Sequence, residues 1–145
     1  MDKSDIQIAK NLLGREGAVF VIVKNGKVLF TSSKKGIQPF FDALEQYPRE
    51  IFAGCSIADR VVGKAALMLA AYIKAKEVYT PLASQHAIDA SFNLNLNLMF
   101  DKSTAFIINR TQDGMCPMEE AVLNVNDREK AFTVLSEKLN SLRST

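Results

Sequence analysis

Residues 114–122 read GMCPMEEAV and bring a thiol, a proline and two carboxylates into nine positions. Pro117 suits the first position of a helix, which puts Cys116 at its N-cap and Glu119 and Glu120 in its first turn. A thiol at a helix N-terminus tends toward the reactive thiolate, but two neighbouring carboxylates oppose that charge. A nucleophilic Cys116 would also need a base, and His86 is the one histidine of the chain. Glu119, at the third helical position, is placed to bond back to the N-cap amide of its own helix. A second set of candidates lies at 59–64, where Asp59, Arg60, Gly63 and Lys64 open an apolar run. The reading there is a helix over 60–73 capped by Asp59, with Arg60 and Lys64 on one face. Gly63 inside the first turn weakens the helix, so it implies close approach by a ligand or another part of the chain. Lys64 is the sole charged residue between Val61 and Ile73, so it must pair, snorkel or face a pocket.

Cys55, His86 and Cys116 make up the inventory of a three-ligand zinc site, but no two of them stand at metal spacing. Cys55 reads as a residue inside a strand. The expectation is therefore no metal and no cofactor.

The elements that must position these groups follow from periodicity. Residues 3–14 have helical spacing ending at Gly14. The runs 18–24 and 27–32 flank Asn25-Gly26, the pattern of a tight hairpin. Ile37, Phe40, Phe41 and Leu44 share a helical face, with Pro39 in the first turn. EIFAGCSIA (50–58) reads as a buried strand and 77–83 as the next, with Ser84 capping a helix to about Phe92. Leu94, Leu96, Leu98 and Phe100 alternate as in a half-buried strand, and 104–109 reads as its continuation or a hairpin partner. Asn109 and Arg110 end that strand. Two helices, 117–123 and 127–142, close the chain.

The 145 residues are the length of one domain, expected to span 1–145. A net charge of +2 with no long basic run argues against nucleic acid and anionic membranes. The greasiest stretch, 65–73, is too short to span a bilayer. MDKSDIQIAKNLL lacks the apolar core of a signal peptide, and two cysteines then read as free thiols in a cytoplasmic protein.

ADRVVGKAA (58–66), KEVYTPLAS (76–84) and IINRTQDGMCPMEEAV (107–122) resemble a small uncharacterised bacterial and archaeal family of cytidine-deaminase-like fold. The resemblance spans about residues 16–125. It implies a three-layer α/β/α sandwich, a mixed sheet with an N-terminal antiparallel hairpin, and no established activity. In zinc deaminases of that fold, a Cys-Pro-x-x-Cys helix follows the strand after the first post-hairpin helix. Here that slot holds Asp59-Arg60-Val61-Val62, and GIQPFF stands where His-x-Glu or Cys-x-Glu would open the earlier helix. An ordinary zinc deaminase is excluded, and Cys116-Pro117-Met118-Glu119 is not a relic of its motif.

Open α/β sheets bind ligands beyond the C-terminal ends of parallel strands. Asp59, Arg60, Gly63, Lys64, Ser84, Asn109, Arg110, Cys116 and Glu119 are accordingly the candidate ligand-binding residues, with Cys116, Glu119 and Lys64 the candidates for catalysis. The segment 109–116 and its following helix should pack beside the N-terminus of the helix at 60–73, setting Glu119 and Glu120 against Arg60 and Lys64. Two readings stay open. One is a crevice for a small polar or anionic, nucleoside-like ligand. The other is a non-catalytic interaction protein whose motif residues are caps and ion pairs. A homodimer is compatible with both.

Overall fold

The computed structural model describes residues 3–107 and 115–143. Helix α1 (Asp5–Leu12) starts in a capping box, with Ser4 and Gln7 each accepting from the other's amide. Strands β1 (Phe20–Lys24) and β2 (Lys27–Ser32) form the expected hairpin. Asn25 and Gly26 both take positive φ, and their amides donate to the Asp5 carboxylate at 2.8 Å, so α1 holds the turn. Then follow α2 (Gln38–Gln46), β3 (Ser56–Asp59), β4 (Val61–Val62), α3 (Lys64–Tyr72), β5 (Glu77–Ser84), α4 (Gln85–Asn93), β6 (Asn97–Thr104), α5 (Pro117–Val122) and α6 (Arg128–Arg143).

Among the described residues, one mixed sheet carries all six strands. β1 is antiparallel to β2 and β3, while β5 runs parallel to β3, β4 and β6. β3 and β4 pair in succession with the same edge of β5, interrupted at Arg60. Alternation divides the sheet's side chains between two faces. Val21, Val23, Ala58 and Tyr79 meet α1. Phe20, Ile22, Ile57, Val62 and Val78 meet residues of the other five helices in the larger core. The layers are three, as expected, but among the described residues one outer layer is a single helix. On the larger side the Arg49 guanidinium lies 3.9 Å from the Tyr72 ring centre, Tyr72 stacks on Phe132 at 4.1 Å, and Phe132 stacks on Phe41 at 5.6 Å. This pile joins α6 to α3 and α2.

Several boundaries differ from the sequence reading. Residues 49–52 form a 3-10 turn, so only 56–58 of the expected 50–58 strand is extended, and β3 runs on to Asp59. Cys55 immediately precedes β3 instead of lying within it. Leu94 caps α4 and Asn95 takes φ 54°, which delays the next strand to Asn97. That strand then runs straight through Asp101-Lys102-Ser103, because β5 offers parallel partners to Phe100 before Asp101 and to Lys102, Ser103 and Thr104 after it. It ends at Thr104, and 105–107 are not extended. Among the described residues no helix is long and apolar enough to cross a membrane.

Candidate functional site

The helix expected over 60–73 begins at Lys64. Asp59 is therefore not its N-cap but the last residue of β3, and Arg60 is an exposed residue whose amide donates to the Val19 carbonyl. Arg60 and Lys64 do not share a helical face, and the like-charge pairing inferred from their spacing is absent. The cross-strand hydrogen bonds of 61–62 with β5 outcompete the helical turn that apolar spacing suggested.

Gly63 occupies the N-cap of α3 and has no side chain to cap it. Glu119 does so instead, across 55 residues of sequence. Its Oε1 accepts from the Lys64 amide at 2.7 Å and its Oε2 from the Ala65 amide at 2.8 Å. Glu119 thus caps the neighbouring helix rather than its own. The close approach inferred from Gly63 is real: a Cβ there would overlap the Glu119 carboxylate. α3 is buried almost throughout, so water is poorly placed to satisfy its first amides, and a carboxylate answers both the free N–H groups and the helix dipole.

Lys64 is only 7% exposed. Its Nζ donates to the Leu123 carbonyl at 3.0 Å and to Asn126 Oδ1 at 3.1 Å, beyond the end of α5. Burial pushes the amine's pKa down, and the charge of Glu119 pushes it back up. Glu119, 5% exposed, is itself raised by burial, against the pull of the Ala65 and Lys64 amides and the nearby His86 and Lys64 charges. Of the expected packing of 109–116 and its following helix beside the start of α3, the helix's part is met, with a narrower charge pairing, while 109–114 lie outside the described residues. Lys64 and Glu119 come together, while Arg60 and Glu120 face solvent. Nothing in the sequence signalled Asn126 or the Leu123 carbonyl, because a lysine's partners at a loop carry no periodicity.

Cys116 sits at the N-cap of α5 with Pro117 next, as read from the sequence, and it is half-buried. Ser84 caps α4 by accepting from the Ala87 amide at 3.1 Å. His86 is in the first turn of that helix, at the C-terminal end of β5. Cys55 lies at the opposite, N-terminal end of β3, fully buried, with its thiol pushed up to about 12 chiefly by burial. The three potential zinc ligands are thus split between the two ends of the sheet and do not fit one ion. Among the described residues no three His, Cys, Asp or Glu side chains are grouped to hold a metal. Asn109 and Arg110 lie outside the described residues.

Two further features border these elements. A recess of about 430 Å³ opens between α4 and the end of β6, lined by Gln85, His86, Asp89, Ser103, Thr104 and Ala105. Sequence reading missed it because it joins a helix start to a strand end, and only His86 had been singled out. Asp59, 6% exposed, has an Oδ2 atom with no hydrogen-bond partner among the described residues. Burial drives its pKa well above the ordinary value, only partly offset by the Arg60 and Val61 amides. Its folded-state pKa exceeds its unfolded one, so its contribution to stability is complete below about pH 3.9 and is lost as pH rises toward the folded value. Over that window the loss should approach about 1.4 kcal/mol per pH unit. Asp59→Asn should flatten this part of the profile and exceed the wild type in stability at pH 8. Urea melts across pH check it, and parallel profiles for the two proteins would refute it.

Residues 8–139 match the family described as a domain of unknown function, DUF1893. A crystal structure of a DUF1893 family protein from Thermotoga maritima superposes with a TM-score of 0.82 at 20% identity, covering 95% of this chain and 92% of that one. A dCMP deaminase from the cyanophage S-TIM5 aligns at TM-score 0.45 and 14% identity, over 68% of this chain and 90% of its own. A diaminohydroxyphosphoribosylaminopyrimidine deaminase/5-amino-6-(5-phosphoribosylamino)uracil reductase from Thermotoga maritima aligns at 0.44 and 14%, over 81% of this chain and 38% of its own. No curated protein matches the sequence. With a family match over most of its length and a solved member of the same fold, the chain belongs to the DUF1893 family.

Proposed function

We propose that this protein binds a small polar, uncharged ligand in the recess between α4 and the end of β6. The observation that carries this reading is the recess itself. It lies where the parallel strands β5 and β6 end, and it presents an imidazole, an amide, a carboxylate and two hydroxyls to a volume of about 430 Å³. The same geometry narrows the ligand. The amides that start α3 would favour an anion, but Glu119 already holds them, and Ser84 takes the Ala87 amide at the start of α4. Asp89 adds negative charge to the recess wall. No lysine or arginine is among the residues lining the recess, so a phosphate would find no permanent cation there, and a nucleoside or similar neutral compound suits it better than a nucleotide.

A thermal-shift screen of nucleosides, nucleobases and their phosphorylated counterparts tests the reading. Neutral compounds should raise the melting temperature of the wild type and leave His86→Ala unmoved, and added phosphate should bring no gain. A screen in which no compound raises it would sink the proposal. The second reading, a non-catalytic interaction protein, would then stand. It draws on the fact that Glu119 and Lys64 bond to protein groups at every contact described here.

A further inference from the structure

Asn25 precedes Gly26, and no other asparagine of the chain precedes a glycine. That pair is the one most prone to lose a side-chain amide, because glycine has no Cβ to shield its main-chain nitrogen. The deprotonated Gly26 nitrogen attacks the Asn25 side-chain carbonyl carbon, the bond from that carbon to the side-chain nitrogen breaks, and ammonia leaves with the proton. The cyclic imide that results then adds water at either carbonyl. One opening gives aspartate, and the other gives isoaspartate, whose main chain is longer by one carbon. Water is consumed, ammonia is released and no electrons change hands. Both residues are exposed, so the water is at hand. In the folded protein, however, the nucleophile is engaged. The Gly26 amide donates to Asp5 Oδ1 and the Asn25 amide to Asp5 Oδ2, each at 2.8 Å. A carboxylate is too weak a base to remove an amide proton, and its charge opposes the nitrogen anion that must form. The same bonds fix the turn, with Asn25 at φ 52° and Gly26 at φ 77° and Lys24 paired to Lys27 across it. Swinging the Gly26 nitrogen onto the Asn25 side chain breaks that arrangement.

We infer that Asn25 is a modification site guarded by α1: it converts to aspartate or isoaspartate when Asp5 leaves the turn, and the conversion then keeps α1 from docking again. Asp5 belongs to a helix whose one buried residue is Ala9, so α1 is anchored by little surface and suits local opening. Once α1 lifts, the Gly26 amide is free and the turn can rearrange. Either product sets a new carboxylate beside the place of Asp5, and like charges oppose its return. Isoaspartate also lengthens a turn whose register, Lys24 against Lys27, fits the unmodified chain. A transient detachment thus becomes permanent. The sheet face that α1 covered, with Val21, Val23, Ala58 and Tyr79, is then left open.

Mass spectrometry of the full chain, held in mildly alkaline buffer, tests this through the mass change from amide to acid at Asn25. The same chain in urea supplies the unguarded rate. The folded wild type should convert at least about tenfold more slowly than in urea, the factor expected when a charge-assisted hydrogen bond must break first. Asp5→Ala, folded by circular dichroism, should approach the urea rate. Ile8→Ala keeps Asp5 but loosens the packing of α1, and should fall between the two. Trypsin should cut after Lys10 sooner in the converted protein than in the unconverted one. A folded wild type that converts as fast as the chain in urea overturns the proposal. So does a folded Asp5→Ala that converts no faster than the wild type, or equal cutting after Lys10 before and after conversion. Where Asp5→Ala does not fold, Ile8→Ala decides: conversion faster than in the wild type sustains the guard, and equal conversion refutes it.

Discussion

Glu119→Ala should lower the free energy of unfolding by about 3–5 kcal/mol, the sum expected for two buried charge-assisted hydrogen bonds left unmade. Both donors are backbone amides at the start of a helix buried on nearly every side, so water cannot readily take the carboxylate's place. Lys64 loses its nearby negative charge in the same step. The replacement opens a cavity shaped for a carboxylate, and formate should therefore restore part of the loss in proportion to its concentration. Glu119→Gln should fall between the two, since its amide group turns a donor toward one of the donors it must satisfy. Urea denaturation with and without formate measures all three. A loss below about 1 kcal/mol in Glu119→Ala would show that solvent reaches the start of α3 and that the carboxylate is dispensable.

The second large effect belongs to Gly63→Ala. At an ordinary N-cap this change costs a few tenths of a kcal/mol to about 1 kcal/mol. Here the added methyl displaces the Glu119 carboxylate from the amides it holds, so about 2–3 kcal/mol is expected from overpacking and weakened bonds together. The backbone of Gly63 has φ −98°, which any residue adopts, so no strain of conformation contributes. The decisive measurement is the double mutant. In a Glu119→Ala background the obstacle is gone, and Gly63→Ala should cost less than about 1 kcal/mol. The two substitutions should thus be strongly non-additive, with a coupling of about 1–2 kcal/mol. Additivity would mean that Gly63 is required for a reason other than the carboxylate beside it.

Much of the fold was legible without coordinates. Asn25-Gly26 announced its hairpin, because the turn demands two residues tolerant of positive φ. Ser84 announced the start of α4, and Cys116-Pro117 that of α5, because caps are local and leave local signatures. The motifs at 58–66, 76–84 and 107–122 pointed to the family that the whole-chain comparison found.

What the sequence by itself determined is which residues had to be explained: a glycine at the mouth of an apolar helix, a lone lysine on that helix, and a carboxylate two residues past a proline. What only the tertiary structure decided is their pairing. Asp59 reads as a cap for the following helix, yet strand pairing with β5 carries the chain two residues further, and the cap comes from Glu119. Glu119 reads as a cap for its own helix, yet the unsatisfied amides that bind it lie on another. Arg60 and Glu120 look no different in type from Lys64 and Glu119, but the sheet's path leaves the first pair in solvent and buries the second. Local sequence sets what each backbone segment prefers. Which distant donor meets which buried acceptor depends on where the sheet brings segments fifty-five residues apart into contact.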